Sequence, residues 1–232
     1  MTREWIGLLA SYLYAGGLLT FAEVLHRRFL VPTDITRKIV HVAAGMWIFA
    51  VLWFFHSWQM GVIPFASFIG LNYFFYRVRF FKGIDSQDAS LGTVYFAFSI
   101  TILSLALWRP QGPLDHGPAV VAGVMAMTWG DALAALIGKH YGAHRYTING
   151  STRSYEGSAV MFVVTALVIA LTLTYLPGSS LSPYAELNTA ATIAVASLAG
   201  AAVGTIVEAL SPHGTDNLSV PICVALVTLI AG

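Results

Sequence analysis

An amphipathic helix on a soluble protein turns a polar stripe to water every three or four residues. This chain instead runs for stretches of about 15 to 20 residues that carry at most one acid or base each. Eight such stretches follow one another, at 5–25, 39–55, 61–76, 93–108, 119–138, 157–176, 189–210 and 218–231. Each approaches the length that a helix needs to cross a hydrocarbon core of roughly 30 Å. The pattern predicts an all-α polytopic transmembrane bundle of about eight spans; the third, fourth and last are short enough that one is open to a re-entrant reading. Arg3 and Glu4 are the only charged residues before the first stretch and no small-residue cleavage site follows it, so it reads as a retained span.

Composition agrees and adds direction. With 57% hydrophobic and 10% charged residues and a mean hydropathy of +0.72, the chain is too apolar for an ordinary soluble domain. The net charge of +1 says little until the charges are placed. Ten of the twelve Lys and Arg fall in the connectors after the first, third and fifth stretches, and only Arg3 and Arg109 fall on the other side. The positive-inside rule makes those connectors cytoplasmic and, with eight spans, puts both termini outside. The outer connectors, rich in Pro, Gly and Ser, read as plain turns. No repeat or soluble appendage interrupts the pattern, so residues 1–232 are expected to form one integral membrane domain. Cys223 is the single cysteine, which excludes intrachain disulfides and multi-cysteine metal sites.

The polar residues that remain inside the apolar stretches carry the candidate chemistry. Asp131, in WGDALAALIGKHYG (129–142), lies about twelve residues into the fifth stretch, where an ionised carboxylate costs roughly 2.5 to 3.5 kcal/mol. Ala135 and Gly138, and Gly142 if the helix continues, follow it along one helix face. Such a bare stripe suits either an anion such as a nucleotide phosphate, with Asp131 holding its metal, or simply close helix packing. Gly200, Gly204 and Glu208 are likewise spaced by four, which turns Glu208 into the bundle. Pro212 and Gly214 then break the helix before Asp216 and Asn217, and Thr215 or Asp216 can equally serve as an N-cap there. Three acids at one membrane face, Asp131, Glu208 and Asp216, favour a Mg²⁺ site, because Mg²⁺ takes one or two carboxylates plus substrate phosphates.

Cations gather at the same face. Arg37 and Lys38 open the second stretch with His41 one turn further in, and Lys139 and Arg153 bracket the connector after Asp131. Arg153 lies three residues before Glu156, at a helix entry where Ser154 and Gly157 also favour an anion. Arg27, Arg28, Arg77 and Arg79 read as interface anchors. There is no GxxxxGK[ST] loop, GxSxG elbow or HExxH helix.

Taken together, TRKIVH, SLGTVYF, GDALAALIGKHYG, RSYEGS and TDNLSVP, in this order over about residues 35–222, resemble the phytol kinase, dolichol kinase and farnesol kinase group of membrane lipid kinases that use CTP. A more distant likeness runs to CDP-diacylglycerol synthases, whose longer terminal acidic motif SPHGTDNLS does not match. The resemblance implies nucleotide and Mg²⁺ binding at Asp131 and along Gly138, Lys139 and Gly142. It implies phosphate contact at Arg153, with Glu156 beside it, and polar site roles for Glu208, Asp216 and Asn217. The family pattern has Lys where this chain has Arg153, a change that keeps the charge and adds a bidentate fork.

The expectation is therefore a kinase that joins a cytosolic nucleotide to a membrane isoprenoid alcohol at the cytoplasmic face. Asp131 and Asp216 would hold Mg²⁺. Arg37, Lys38, Lys139, Arg153, Ser154 and Asn217 would surround the nucleotide, and Glu208 or Glu156 would take the alcohol proton. The lipid alcohol, the nucleotide and the bilayer are the expected partners, and nucleic acid is not. Two alternatives are a cytidylyltransferase that forms a CDP-lipid, and a transporter relaying protons through its buried acids. Against the transporter, the acids lie at one face rather than at the midplane.

Overall fold

The computed structural model of the chain describes residues 2–78, 91–112, 115–212 and 214–231. Arg79, Lys82, Asp88 to Ser90 of the fourth stretch's approach, and His213 lie outside the described residues. The helices are α1 (Arg3–Phe29), α2 (Thr33–Phe54), α3 (Trp58–Val78), α4 (Gly92–Leu107), α5 (Gly117–Met125), α6 (Ala132–Tyr141), α7 (Tyr155–Tyr175), α8 (Ala190–Leu210) and α9 (Asp216–Ala231). A π-helical turn, Ala126–Asp131, joins α5 to α6, so that the three form one continuous rod.

Five rods are long and apolar enough to cross a membrane: α1, α2, the rod Gly117–Tyr141, α7 and α8. The expected eight spans exceed these by α3, α4 and α9; the last two are apolar but only 16 residues each. The rod Gly117–Tyr141 is the centre of the molecule. Of its most apolar window 72% is buried inside the protein, against 11 to 33% for the other four. The reason lies in its side chains: Gly123 meets the backbone of α9 at Pro221, and Gly130 meets Thr165 and Met161 of α7, approaches that a larger side chain would block.

The all-α expectation needs one correction. Arg145–Ile148 (β1) and Ser151–Ser154 (β2) form an antiparallel hairpin between α6 and α7. Its turn is Asn149-Gly150, both with positive φ (50° and 78°), the backbone that a two-residue hairpin of matching twist requires. The hairpin also ends the small-residue stripe sooner than expected: α6 stops at Tyr141, and Gly142 is its cap, not a further helical turn.

Two helix starts position the site. Proline at 32 has no N–H to satisfy and precedes the first turn, so α2 begins at Thr33, six residues before the predicted span, and Arg37 and Lys38 lie within it. Ser154 caps α7 by accepting the Gly157 N–H at 3.1 Å. Successive rods alternate in direction, so the connectors sort into two groups. Arg109 over Trp58, Glu4 on Ser57 and Ser182 on Asp115 tie one end together. The starts of α2, α7 and α9, the hairpin and the end of α8 meet at the other.

Candidate active site

Arg153, on β2, is the hub of that second end. Its guanidinium donates from Nη1 to Glu208 Oε1 at 2.8 Å and from Nη2 to Asp216 Oδ2 at 3.2 Å. Nη2 also faces the carbonyls of Glu208 at 3.3 Å and Ser211 at 3.4 Å, which are released by the end of α8. One planar side chain thus closes the α8–α9 corner onto the hairpin. Burial opposes its charge, but Glu208, Asp216 and Asp131 outweigh that and hold its proton more firmly than in a free arginine. Asp216 is fixed from the other side as well, since its Oδ1 accepts the Asn217 N–H at 2.9 Å.

Asp131 closes the π-helical turn and is buried. Its carboxylate is met by Lys38 Nζ at 2.5 Å, and His41 Nε2 stands 3.9 Å away while bonding the Met127 carbonyl at 3.0 Å. Lys38 and Asp131, expected as a nucleotide contact and a metal ligand, thus meet as ion partners across 93 residues in this structure.

Between the hairpin and the helices lies a cavity of about 310 Å³. Ala135 and Gly138 line it, as the bare stripe beyond Asp131 suggested, with Lys139, Ser154, Gly157, Arg153 and Glu208 around them. The floor is close-packed: a Cβ on Gly157 would lie 2.9 Å from the Ala134 carbonyl, and one on Gly142 would overlap the Gly138 carbonyl and Ser154. Other expected residues fall outside this enclosure. Arg37 lies on α2 beside Lys38, away from the cavity, whereas Lys139 lines the cavity while its ammonium pairs with Asp34 at the start of α2. Glu156 bonds the ring and backbone of His144 instead of facing the cavity.

No family model matches the chain, and no solved structure matches it. Among curated proteins, the phytol kinase of Synechocystis is 34% identical over 223 residues, covering 96% of this chain and 89% of that protein. The chain belongs to the phytol kinase family. A probable chloroplastic phytol kinase 2 of soybean is 25% identical across 90% of the chain and 69% of its own length. Phytol kinase 1 of Arabidopsis thaliana is 24% identical across 88% and 68%.

For a member of the phytol kinase family, the question is which groups stand ready for phosphate. Lys38 is engaged by Asp131, Lys139 by Asp34, and Arg153 by Glu208 and Asp216. Arg145, one of the ten cytoplasmic-side charges but not an expected site residue, lines the cavity from β1, and its side chain has no hydrogen-bond or ion-pair partner among the described residues. Arg145→Ala is expected to raise the nucleotide KM about tenfold or more, the loss of one charge-assisted bond, with little change in kcat. Steady-state kinetics with varied nucleotide checks this; an unchanged KM makes Arg145 a surface charge.

Metal chemistry has a narrower footing. Among the described residues no group of three or more His, Cys, Asp or Glu is placed to hold an ion unaided. A Mg²⁺ ion that arrives with a nucleotide needs fewer protein ligands. Asp131 and Asp216 supply hard oxygens, and the buried Asn217 Oδ1 has no hydrogen-bond partner, so the donor set fits such an ion.

Proposed function

We propose that this protein is a membrane kinase that transfers the terminal phosphoryl group of CTP to the hydroxyl of a prenyl alcohol, phytol or a related isoprenoid. Kinship to the Synechocystis phytol kinase supports the acceptor class; CTP as donor follows the motif resemblance. The observation that carries the reading is the cavity between hairpin and bundle, where Arg153, Lys139 and Arg145 line one space beside Glu208.

The chemistry follows from these residues. Phosphoryl transfer asks for positioning and charge neutralisation more than for covalent help. Nucleotide phosphates enter the cavity and draw Arg153 and Lys139 partly away from their carboxylates. Asp131 and Asp216, beside Asn217, would hold a Mg²⁺ ion that arrives with the nucleotide, and such an ion would further neutralise the phosphate charge. The alcohol oxygen attacks the terminal phosphorus, the bond from that phosphorus to the bridging oxygen breaks, and CDP leaves. The hydroxyl proton passes to Glu208. Glu208 is a better acceptor than Glu156 because it lines the cavity and is released as Arg153 turns to phosphate.

We place this site at the cytoplasmic face of an eight-span bundle with both termini outside. Arg37, Lys38, Lys139, Arg145 and Arg153 lie at the site's end, whereas Arg3 and Arg109 stack on Trp53 and Trp58 at the other. The test is purified protein in detergent with γ-labelled CTP or ATP and a panel of prenyl alcohols. Label on the alcohol and release of CDP are expected. Pyrophosphate release with a CDP-lipid product would make the protein a cytidylyltransferase, and no turnover with any pair would overturn the kinase reading.

A further inference from the structure

The π-helical turn that ends in Asp131 is held by one stripe of α2. Four neighbouring contacts join them. Lys38 meets the Asp131 carboxylate at 2.5 Å, His41 Nε2 bonds the Met127 carbonyl at 3.0 Å, and Trp129 Nε1 lies 3.2 Å from the Met46 sulfur. Gly45 sits so close to Thr128 that a Cβ there would lie within 2.8 Å of the Thr128 Cβ. Lys38, His41 and Gly45 are spaced three and four apart, which puts them on one face of α2. On the other side of the ring, His41 packs edge-on against Phe96 of α4 at 4.9 Å.

A π turn holds one residue more than the α-helical turn it replaces and disturbs the regular carbonyl pairing, so it is disfavoured unless something outside the helix compensates. Here the compensation is visible: the Met127 carbonyl accepts from an imidazole of another helix. That acceptance also fixes the proton of His41 on Nε2, because a carbonyl only accepts. Were the turn to relax into ordinary α-helix, the residues beyond it would rotate by about 100° relative to those before it. Asp131 would then leave Lys38 and its place beside Arg153.

We infer that His41 is a positioning residue whose bond to the Met127 carbonyl holds the π turn, and through it the direction of the Asp131 carboxylate. The catalytic consequence rests on the kinase reading above; the structural one does not. His41 touches neither phosphate nor alcohol in this scheme. It acts through Asp131, and displacing a reacting group by about 1 Å is enough to cost a hundredfold in rate.

The test separates the two layers. With Cys223→Ser, Met46→Cys and Trp129→Cys in one chain, a short bifunctional thiol reagent should join the two new thiols in high yield. Adding His41→Gln, whose amide N–H reaches the place of Nε2, should leave that yield unchanged. Adding His41→Phe, which fills the space but donates nothing, should lower it several-fold. In the otherwise natural chain, His41→Gln should keep kcat within about threefold, and His41→Phe should lower it about a hundredfold. An unchanged cross-link in His41→Phe overturns the proposal. So does an equal loss of turnover in both variants, which would make His41 a proton carrier. The expected cross-links together with an inactive natural chain would uphold the clamp and remove the kinase reading instead.

Discussion

Arg153→Ala should lose both turnover and stability, and the two losses should separate. The guanidinium is the shared counter-ion of Glu208 and Asp216, and removing one member of a buried ion pair costs about 3 to 5 kcal/mol, because the remaining charge stays buried without its partner. Thermal unfolding in detergent should fall accordingly, while kcat/KM for the nucleotide falls at least a hundredfold by the loss of phosphate contact and of the α8–α9 corner together. Adding Glu208→Gln to Arg153→Ala removes one of the stranded charges and should recover part of the stability with no recovery of turnover. Arg153→Lys should keep measurable activity and stand between the two, since an ammonium keeps the charge but does not span both carboxylates as the planar fork does. Wild-type kinetics in Arg153→Ala would reduce this residue to a structural tie.

Asp131→Asn should cut turnover about a hundred- to a thousandfold, the scale on which removing one preorganised electrostatic group acts in a site with little water. From the sequence alone this variant is expected to fold normally, because its shape is kept. The structure adds a cost: Lys38, largely buried, would keep its ammonium with no carboxylate opposite. The amide oxygen still accepts one bond from Lys38, so the destabilisation should lie near the low end for a broken buried pair, about 3 kcal/mol. The double variant Lys38→Met/Asp131→Asn should regain much of the melting temperature and none of the activity. Turnover close to that of the natural chain in Asp131→Asn would make the Lys38 pair purely structural and overturn the proposed metal role of Asp131. Stability unchanged in the single variant would mean that the pair is not buried as described.

How far the sequence reached depends on whether the signal was local. Helix existence was legible because burial in lipid demands long apolar runs, and the described helices fall within a few residues of the expected stretches, α2 excepted. The stripe of Ala135 and Gly138 was legible for the same reason: residues three and four apart share a helix face, and they do line the cavity. Gly200, Gly204 and Glu208 turn inward on the same principle. The hairpin had a local sign too, since Asn-Gly between short polar segments is a strong two-residue turn signal. The surrounding apolar pattern, however, points only to helices, and on that pattern the segment is expected as a plain connector.

Pairing was not legible, because partners that meet across 55 to 93 residues leave no trace in spacing. Sequence alone put Arg153, Glu208, Asp216, Lys38 and Asp131 at one face and in one chemistry. Which carboxylate holds which cation was decided by the directions of the helix ends, and so was the release of Glu156 to His144 and the freedom of Arg145. The π turn is the plainest case. Nothing in AMTWGD breaks a helix, so the chain by itself determines only an apolar rod containing an acid; the extra residue in that turn depends on a carbonyl finding His41 and a glycine making room for Thr128, contacts that exist only once α2 has packed against the rod.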